Sequence, residues 1–239
     1  MTSRRERQRK ELIAEIKKTA KELMAQSGTA GVSIRAIAKQ IGITPPAIHY
    51  YFKTVDDLIT ALLIDGFEAL VAFQEETVVQ NKDESFALQF YRFAQAFRSW
   101  ALSNQVEFQL IYGNPIPGYS QPVEQTYPPA RKGFALFAGL IDRAIQAGAL
   151  TPPPQYKSAA NTLAAPLAEL QMHEGHQHDP AVLYITAAMW SRFHGLVTLE
   201  LYNLIQPVVG DTALFFHLEI CHALQELGVA DINTLENKR

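Results

Sequence analysis

The stretch from Val32 to Phe52, VSIRAIAKQIGITPPAIHYYF, constrains this chain more than any other, because it holds two short segments of helical apolar spacing on either side of one glycine. Ile37 and Ile41 fall on the inner face of the first segment, and Ile48 and Tyr51 anchor the second. Ala38 is small where the two would cross, and a bulky residue there would hold them apart. Gly42 stands at the turn, where a side chain would resist a positive φ. Ser33 is placed to cap the first helix, which ends at Ile41, and Thr44 to cap the second, which opens on Pro45. The pattern predicts a helix-turn-helix. With the packing positions so assigned, Pro45, Pro46, Ala47, His49, Tyr50 and Lys53 face away from the core.

The rest of the chain also reads as helix, and the fold class expected is all-α. A first helix spans about residues 5–26, with Leu12, Ile13, Ile16, Ala20, Leu23 and Met24 on one face and Ser27-Gly28 as its stop. Thr54-Val-Asp-Asp is a capped, acidic start for a long fourth helix, since carboxylates favour the positive end of the helix dipole. No linker precedes it, so this helix is expected to carry straight on from the small module into the larger domain. Further helices are expected at about 85–112, 125–148, 155–172, 180–205 and 211–228, joined by Pro/Gly-rich or His-rich connections. The division expected is a head of residues 1–53 and a helical domain of residues 54–239.

Net charge is −3 over 239 residues, yet residues 1–53 hold 11 Lys/Arg against four Glu, leaving −10 for the remainder. A head at +7 suits duplex phosphates, because cations displace condensed counterions there. Thr44 and Tyr50 can donate to phosphates, Pro46 and Ala47 can touch thymine methyls, and His49 can reach a base edge or a phosphate. Ser33, Ile34 and Arg35 at the start of the preceding helix, with its amides, would hold the backbone, and Tyr51 and Lys53 complete the candidate DNA-contacting set. A three-helix subdomain that merely packs is the competing reading of the same residues.

Residues 10–64 resemble the DNA-binding domain of TetR/AcrR-type regulators. The likeness is carried by V-S-I-R-A-I-A, I-G-I, Pro-Pro-Ala-Ile, Y-Y-F-K and the Asp-Leu-Ile that opens helix 4. His49 stands where such domains have a tyrosine and Val55 where they have a lysine. The first departure implies an altered base preference, the second one phosphate contact fewer. Further on, Trp190-Ser-Arg-Phe-His-Gly-Leu-Val-Thr-Leu-Glu-Leu and the loop at 112–119 resemble a subgroup with a so-called WHG effector domain. The resemblance implies a repressor that a small hydrophobic or aromatic ligand releases from a palindromic operator, with an activator, or a repressor lacking any ligand, as the alternative within regulation.

Two late helices are apolar over much of their circumference, one with Trp190, Phe193, Val197 and Leu201, the other with Leu214, Phe215, Leu218, Cys221, His222 and Leu224. Such surfaces suggest an intersubunit four-helix bundle, and a helix-turn-helix reading two half-sites also calls for a homodimer. Trp190, Val197, Leu201, Leu214, Phe215, Leu218 and His222 are the interface candidates, and Gly195 is expected to permit close helix approach. Phe86, Phe90, Phe93, Phe97 and Trp100 recur at spacings of three or four. Such a stripe is ordinary core or cavity lining, and the sequence leaves both open. The resemblance places an effector between these helices, which makes Phe67, Phe90, Phe93, Phe97, Trp100, Tyr112, Phe137 and His194 the ligand-binding candidates, with Arg98 as a further polar contact.

The run His173-Glu-Gly-His-Gln-His-Asp offers imidazoles and carboxylates but no preorganised face, so no metal site is expected there. A single cysteine, Cys221, excludes an internal disulfide and suits a reducing cytoplasm; the charged start of the chain and the lack of a long apolar run argue against secretion or membrane insertion. No cofactor is expected, and no phosphate-cradling loop, nucleophile elbow or zinc-protease helix occurs. The alternative class is a helical small-molecule-binding protein or enzyme with an incidental helix-turn-helix, which would lack salt-dependent DNA binding.

Overall fold

The computed structural model describes residues 3–113, 115–116, 118–174 and 178–229. The described residues are helical and contain no strand, so the all-α expectation holds. Twelve helices are present among them: α1 (Arg4–Ser27), α2 (Ile34–Ile41), α3 (Pro45–His49), α4 (Val55–Gln80), α5 (Phe86–Ser103), α6 (Gln105–Tyr112), α7 (Val123–Gln146), α8 (Pro154–Thr162), α9 (Ala164–Glu174), α10 (Pro180–Leu201), α11 (Gln206–Val209) and α12 (Thr212–Glu226).

Two of the expected helices are interrupted. The stretch 85–112 breaks at Asn104, whose φ of −130° and ψ of 53° are non-helical, and α6 begins after it. Ser103 and Asn104 are both residues whose side chains compete with helical hydrogen bonding, which gives a break there a chemical basis. The stretch 155–172 breaks at Leu163, just after Asn161 and Thr162. Neither interruption changes the apolar spacing on its two sides, which is why periodicity reads through both.

The chain falls into two compact units. One comprises the residues up to Ala69 together with Asn104–Ala130, and the other comprises Leu70–Ser103 with the chain from Arg131 onward. The first is therefore larger than a head ending at Lys53: the opening turns of α4 and the whole of α6 belong to it. Its core gathers Ile16 and Ala20 of α1, Ile37 and Ala38 of α2, Ile48 of α3, and Leu58 and Leu62 of α4, each at most 2% exposed. Ile111 of α6 and Tyr119 beyond it pack against this core, and the Tyr119 hydroxyl lies 2.9 Å from Thr60 Oγ1. Gly66 sits where α4 and α6 touch, since a Cβ there would meet Ile111 Cγ2 at 3.0 Å. Lys17 pairs with Asp65 at 2.7 Å and Lys21 with Glu107 at 2.8 Å, tying α1 to α4 and to α6.

The second unit is built on the aromatic face of α5. Phe93 stacks on Phe137 of α7 with ring centroids 4.6 Å apart, and Phe90 lies 5.5 Å from both Phe137 and Phe193 of α10. Along α10 the buried stripe is Val182, Ile185, Met189, Phe193 and Val197, while Trp190 is only half-buried. In α12 the inner face is Phe216, Ile220, Ala223 and Leu224, which leaves Leu214 and Leu218 exposed. Arg98 and Glu200 join α5 to α10 through two hydrogen bonds of 2.7 and 2.5 Å. No described helix is long and apolar enough to cross a membrane.

Candidate nucleic-acid interface

The candidate DNA-contacting element is assembled from short helices that would not persist alone. Ser33 caps α2, its Oγ accepting from the Ala36 amide at 3.1 Å. At the other end Gly42 adopts φ 73° and ψ 29°, the left-handed conformation its position requires, and the Ile43 amide returns to the Ala38 carbonyl at 3.0 Å. Ala38 is 1% exposed, its small side chain enclosed in the core. Pro45 and Pro46 start α3, where their missing amides cost nothing. Thr44 occupies the N-cap position but makes no side-chain cap bond.

Helix α3 covers only Pro45–His49, so Tyr50, Tyr51 and Lys53 of the expected contact set lie beyond its end. Beyond it the Tyr51 and Phe52 amides both bond the Ile48 carbonyl, at 2.8 and 2.9 Å, tightening the exit before α4. Thr54 and Asp57 then cap each other's backbone amides at 2.9 and 3.1 Å. These local bonds fix the direction in which residues 49–53 face.

Most of the expected contact residues are accessible. Ser33, Arg35, Thr44, Pro46, His49 and Lys53 are exposed, Tyr50 is 79% exposed, and Pro45, Ala47 and Tyr51 are half-buried. Ile34 differs: at 6% exposed its side chain belongs to the core, so its contribution to a ligand is restricted to its backbone amide. His49 Nδ1 lies 3.0 Å from the Lys53 carbonyl. A carbonyl can only accept, so Nδ1 carries the hydrogen, and a neutral His49 keeps Nε2 as an acceptor. Tyr50 and Tyr51 meet edge to face at 5.0 Å, and the Arg9 guanidinium lies 6.0 Å from the Tyr51 ring, a neighbour that sequence spacing does not disclose.

The candidate effector residues divide between the two units. Phe67 and Tyr112 meet edge to face at 5.8 Å in the first, with Phe108 beside Tyr112 at 5.2 Å. In the second, Phe90, Phe93 and Phe137 fill one another's space, and Phe97 and Trp100 are 2% and 5% exposed. His194 is half-buried with its ring 5.2 Å from that of Trp190, and burial lowers its pKa below the ordinary value. Arg98 is committed to Glu200, which also accepts from the Thr212 hydroxyl at 2.6 Å. Burial alone would raise the Glu200 carboxyl, but the hydrogen bonds from Arg98 and Thr212 and the Arg98 charge outweigh it and hold the pKa below the usual value.

Among the interface candidates, Leu214 and Leu218 are 43% and 39% exposed, His222 is exposed, and Trp190, Leu201 and Phe215 are half-buried. Val197 is enclosed entirely by its own unit, because it lies on the inward stripe of α10. Gly195 has no neighbour within 4 Å of where a Cβ would stand, so no close helix approach within the chain requires it. Exposed Leu199, Tyr202, Leu204 and Val208, unremarked in the sequence pattern, extend the apolar surface around α10 and α11. Of the run at 173–179, residues 175–177 and the side chains of His173 and Glu174 lie outside the described residues, as do Asn114 and Pro117 of the loop at 112–119. Among the described residues no group of three or more metal-ligating side chains occurs.

Comparison with known proteins bears on both parts of the chain. Residues 16–62 match the profile of bacterial regulatory proteins of the tetR family, and residues 90–223 match that of the tetracycline repressor-like C-terminal domain. The HTH-type transcriptional regulator Rv1816 of Mycobacterium tuberculosis is 26% identical over 195 residues, 82% of each chain. The HTH-type transcriptional regulator Mb1846 of Mycobacterium bovis aligns to the same extent, at 26% identity over 82% of each chain. Among solved structures, the regulatory protein SCO4313 is 30% identical with a TM-score of 0.75, covering 94% of this chain and all of that one. A tetR-family regulatory protein from Rhodococcus RHA1 shares the fold at 18% identity and a TM-score of 0.64, over 92% of this chain and 98% of that one.

Proposed function

The chain belongs to the TetR family of bacterial regulatory proteins and is a transcriptional regulator, and from that premise we propose that it is a cytoplasmic repressor that binds a palindromic operator as a homodimer. The observation that carries this reading is the exposed surface formed by Pro46, His49, Tyr50 and Lys53, mounted on the fully buried Ile37 and Ile48. That surface enters the major groove. His49 Nε2 accepts from a base amino group there, Ala47 and Pro46 meet thymine methyls, and Thr44, Tyr50, Lys53, Arg35 and Ser33 hold phosphates. Residues 1–53 supply the reading surface and residues 54–239 the dimer contact and the effector site.

The dimer forms on α10 and α12 through Leu214, Leu218 and His222, flanked by Trp190, Leu201 and Phe215, an exposed apolar surface of the kind that oligomers cover. The effector is a small hydrophobic or aromatic molecule. Of the candidate lining residues in the second unit only His194 is half-buried rather than buried, so it is the polar group open to contact. Helix α4 runs without interruption from Val55 to Gln80, and a ligand that favours one setting of it over another changes the separation of the two recognition segments.

The test is a titration of the purified protein into the intergenic DNA upstream of its own gene at several salt concentrations, with footprinting. Protection of a palindrome, weakening steeply with salt, supports the reading. Binding no tighter than to calf-thymus DNA overturns it. A small-molecule screen for release of the footprint then tests repression by an effector.

A further inference from the structure

Helix α1 begins seven residues before Glu11, and no residue of that beginning is buried. Ser3–Glu11 is exposed throughout, whereas the first buried residue of the helix is Ile16. What holds these turns in helix is local. Ser3 Oγ accepts from the Glu6 amide at 3.2 Å while Glu6 Oε2 accepts from the Ser3 amide at 2.8 Å, a reciprocal capping box.

The charges carried there do not serve that helix. Arg4, Arg5 and Arg7 occupy its first turns, where the dipole is positive and cations oppose it. The cations of α1 also divide into two sets. Lys17, Lys18 and Lys21 each have a carboxylate within 4 Å, in Asp65, Glu22 and Glu107. Among the described residues Arg4, Arg5, Arg7, Arg9 and Lys10 pair with no carboxylate, and Glu6, the acid in their midst, is engaged in the cap. This cluster lies near the recognition segment: the Arg9 guanidinium is 6.0 Å from the ring of Tyr51, next to the exposed Tyr50. The unpaired cations therefore border the surface proposed to read DNA, within the same compact unit.

We propose that Ser3–Lys10 is a second DNA-contacting element, a basic helical arm that binds duplex phosphates beside the recognition segment without reading bases. The proposal rests on the operator-binding reading above. Stability does not account for three arginines in the first turn of a helix, followed by two further cations with no carboxylate partner among the described residues, whereas a polyanion lying alongside does, by charge complementarity and counterion release.

The test compares three forms of the full chain: wild type, R4Q/R5Q/R7Q, and K82Q/K132Q/K157Q, which removes the same charge from exposed positions of the second unit. Gln keeps helix propensity close to that of Arg, and far-UV circular dichroism checks that the arm remains folded. Each is titrated into a mixed-sequence duplex of about 30 bp, long enough to extend past two half-sites one turn apart. The arginine variant should lower the slope of log K against log salt by about 2 to 3 per protomer, at about 0.9 per lost phosphate contact, and the lysine variant should leave it unchanged. Equal slopes for wild type and the arginine variant overturn the arm while leaving the operator reading intact. Equal reductions in both triple variants overturn it too, as an effect of total charge. A wild type that binds no duplex at low salt overturns the operator reading and the arm together.

Discussion

Arg98 and Glu200 stand 102 residues apart in sequence and meet through two parallel hydrogen bonds, side chains 15% and 12% exposed. Thr212 adds a third bond to the carboxylate, and the Arg98 guanidinium lies 5.6 Å from the Phe216 ring. One ion pair thereby joins α5, α10 and α12. Removing either partner leaves a charge with little water and no counter-ion. Glu200→Ala or Arg98→Ala should cost about 3 kcal/mol, and the double variant less than the sum, with a coupling of about 1–3 kcal/mol. Urea unfolding of the four proteins measures this, and additive losses would remove the pair from the account.

The same pair sets a pH dependence. The folded Glu200 pKa lies below its ordinary value of 4.5, so the unfolded chain binds this proton first. Its stabilisation is complete well above 4.5 and is lost as pH falls through the folded value. The stability gap between wild type and Glu200→Gln should narrow in that acidic window and be constant at neutral pH, as read by thermal midpoints across a pH series.

His194 gives a second window. Burial lowers its pKa from 6.5, so the unfolded chain again binds the proton more readily. Stability should rise with pH through the range just below 6.5 and level off above it. Proton NMR of the imidazole should place its midpoint below that value, and His194→Gln should flatten the corresponding part of the stability curve.

Gly42 has φ 73° and open space around a hypothetical Cβ. Replacement by alanine therefore meets conformational strain without a clash, and Gly42→Ala should destabilise the chain by about 1 kcal/mol. Gly42→Asn should cost less, because asparagine tolerates the left-handed region. Denaturant midpoints decide between these outcomes, and an alanine variant as stable as the asparagine one would contradict the strain argument.

Leu214 and Leu218 should separate association from folding. Both are exposed on α12, so L214E/L218E should leave the protomer fold intact by far-UV circular dichroism while converting the proposed dimer to monomer by light scattering. Val197→Ala, on the enclosed stripe, should instead lower stability by about 1 to 3 kcal/mol through a cavity and leave association intact at temperatures where the protein is folded.

The sequence made the helix-turn-helix legible because its packing demands are local. Ala38, Gly42 and Ile48 lie within eleven residues, and the backbone there follows from a cap, a left-handed glycine and two prolines. The apolar stripes also mark α5, α10 and α12 as helices. Long-range relations carry no such signal: nothing in the spacing links Arg98 to Glu200 or Arg9 to Tyr51. The breaks at Asn104 and Leu163 were hidden because apolar periodicity continues on either side of them. Around α10 and α12 the helices are apolar on most sides, so periodicity alone could not separate the inward Val197 and Phe216 from the outward Leu214 and Leu218. The aromatic stripe of α5 left core and cavity undecided, and the stacked Phe93 and Phe137 are now seen to occupy each other's space.

The five residues of α3 amount to little more than one turn, too few to hold a helical shape without support. The proposed reading surface accordingly has no rigidity of its own and borrows it from the core cluster of Ile16, Ile37 and Leu58. A genetic screen for loss of operator occupancy would then return substitutions at these enclosed aliphatic positions alongside those at His49 or Lys53. Only the second group would leave the melting curve untouched.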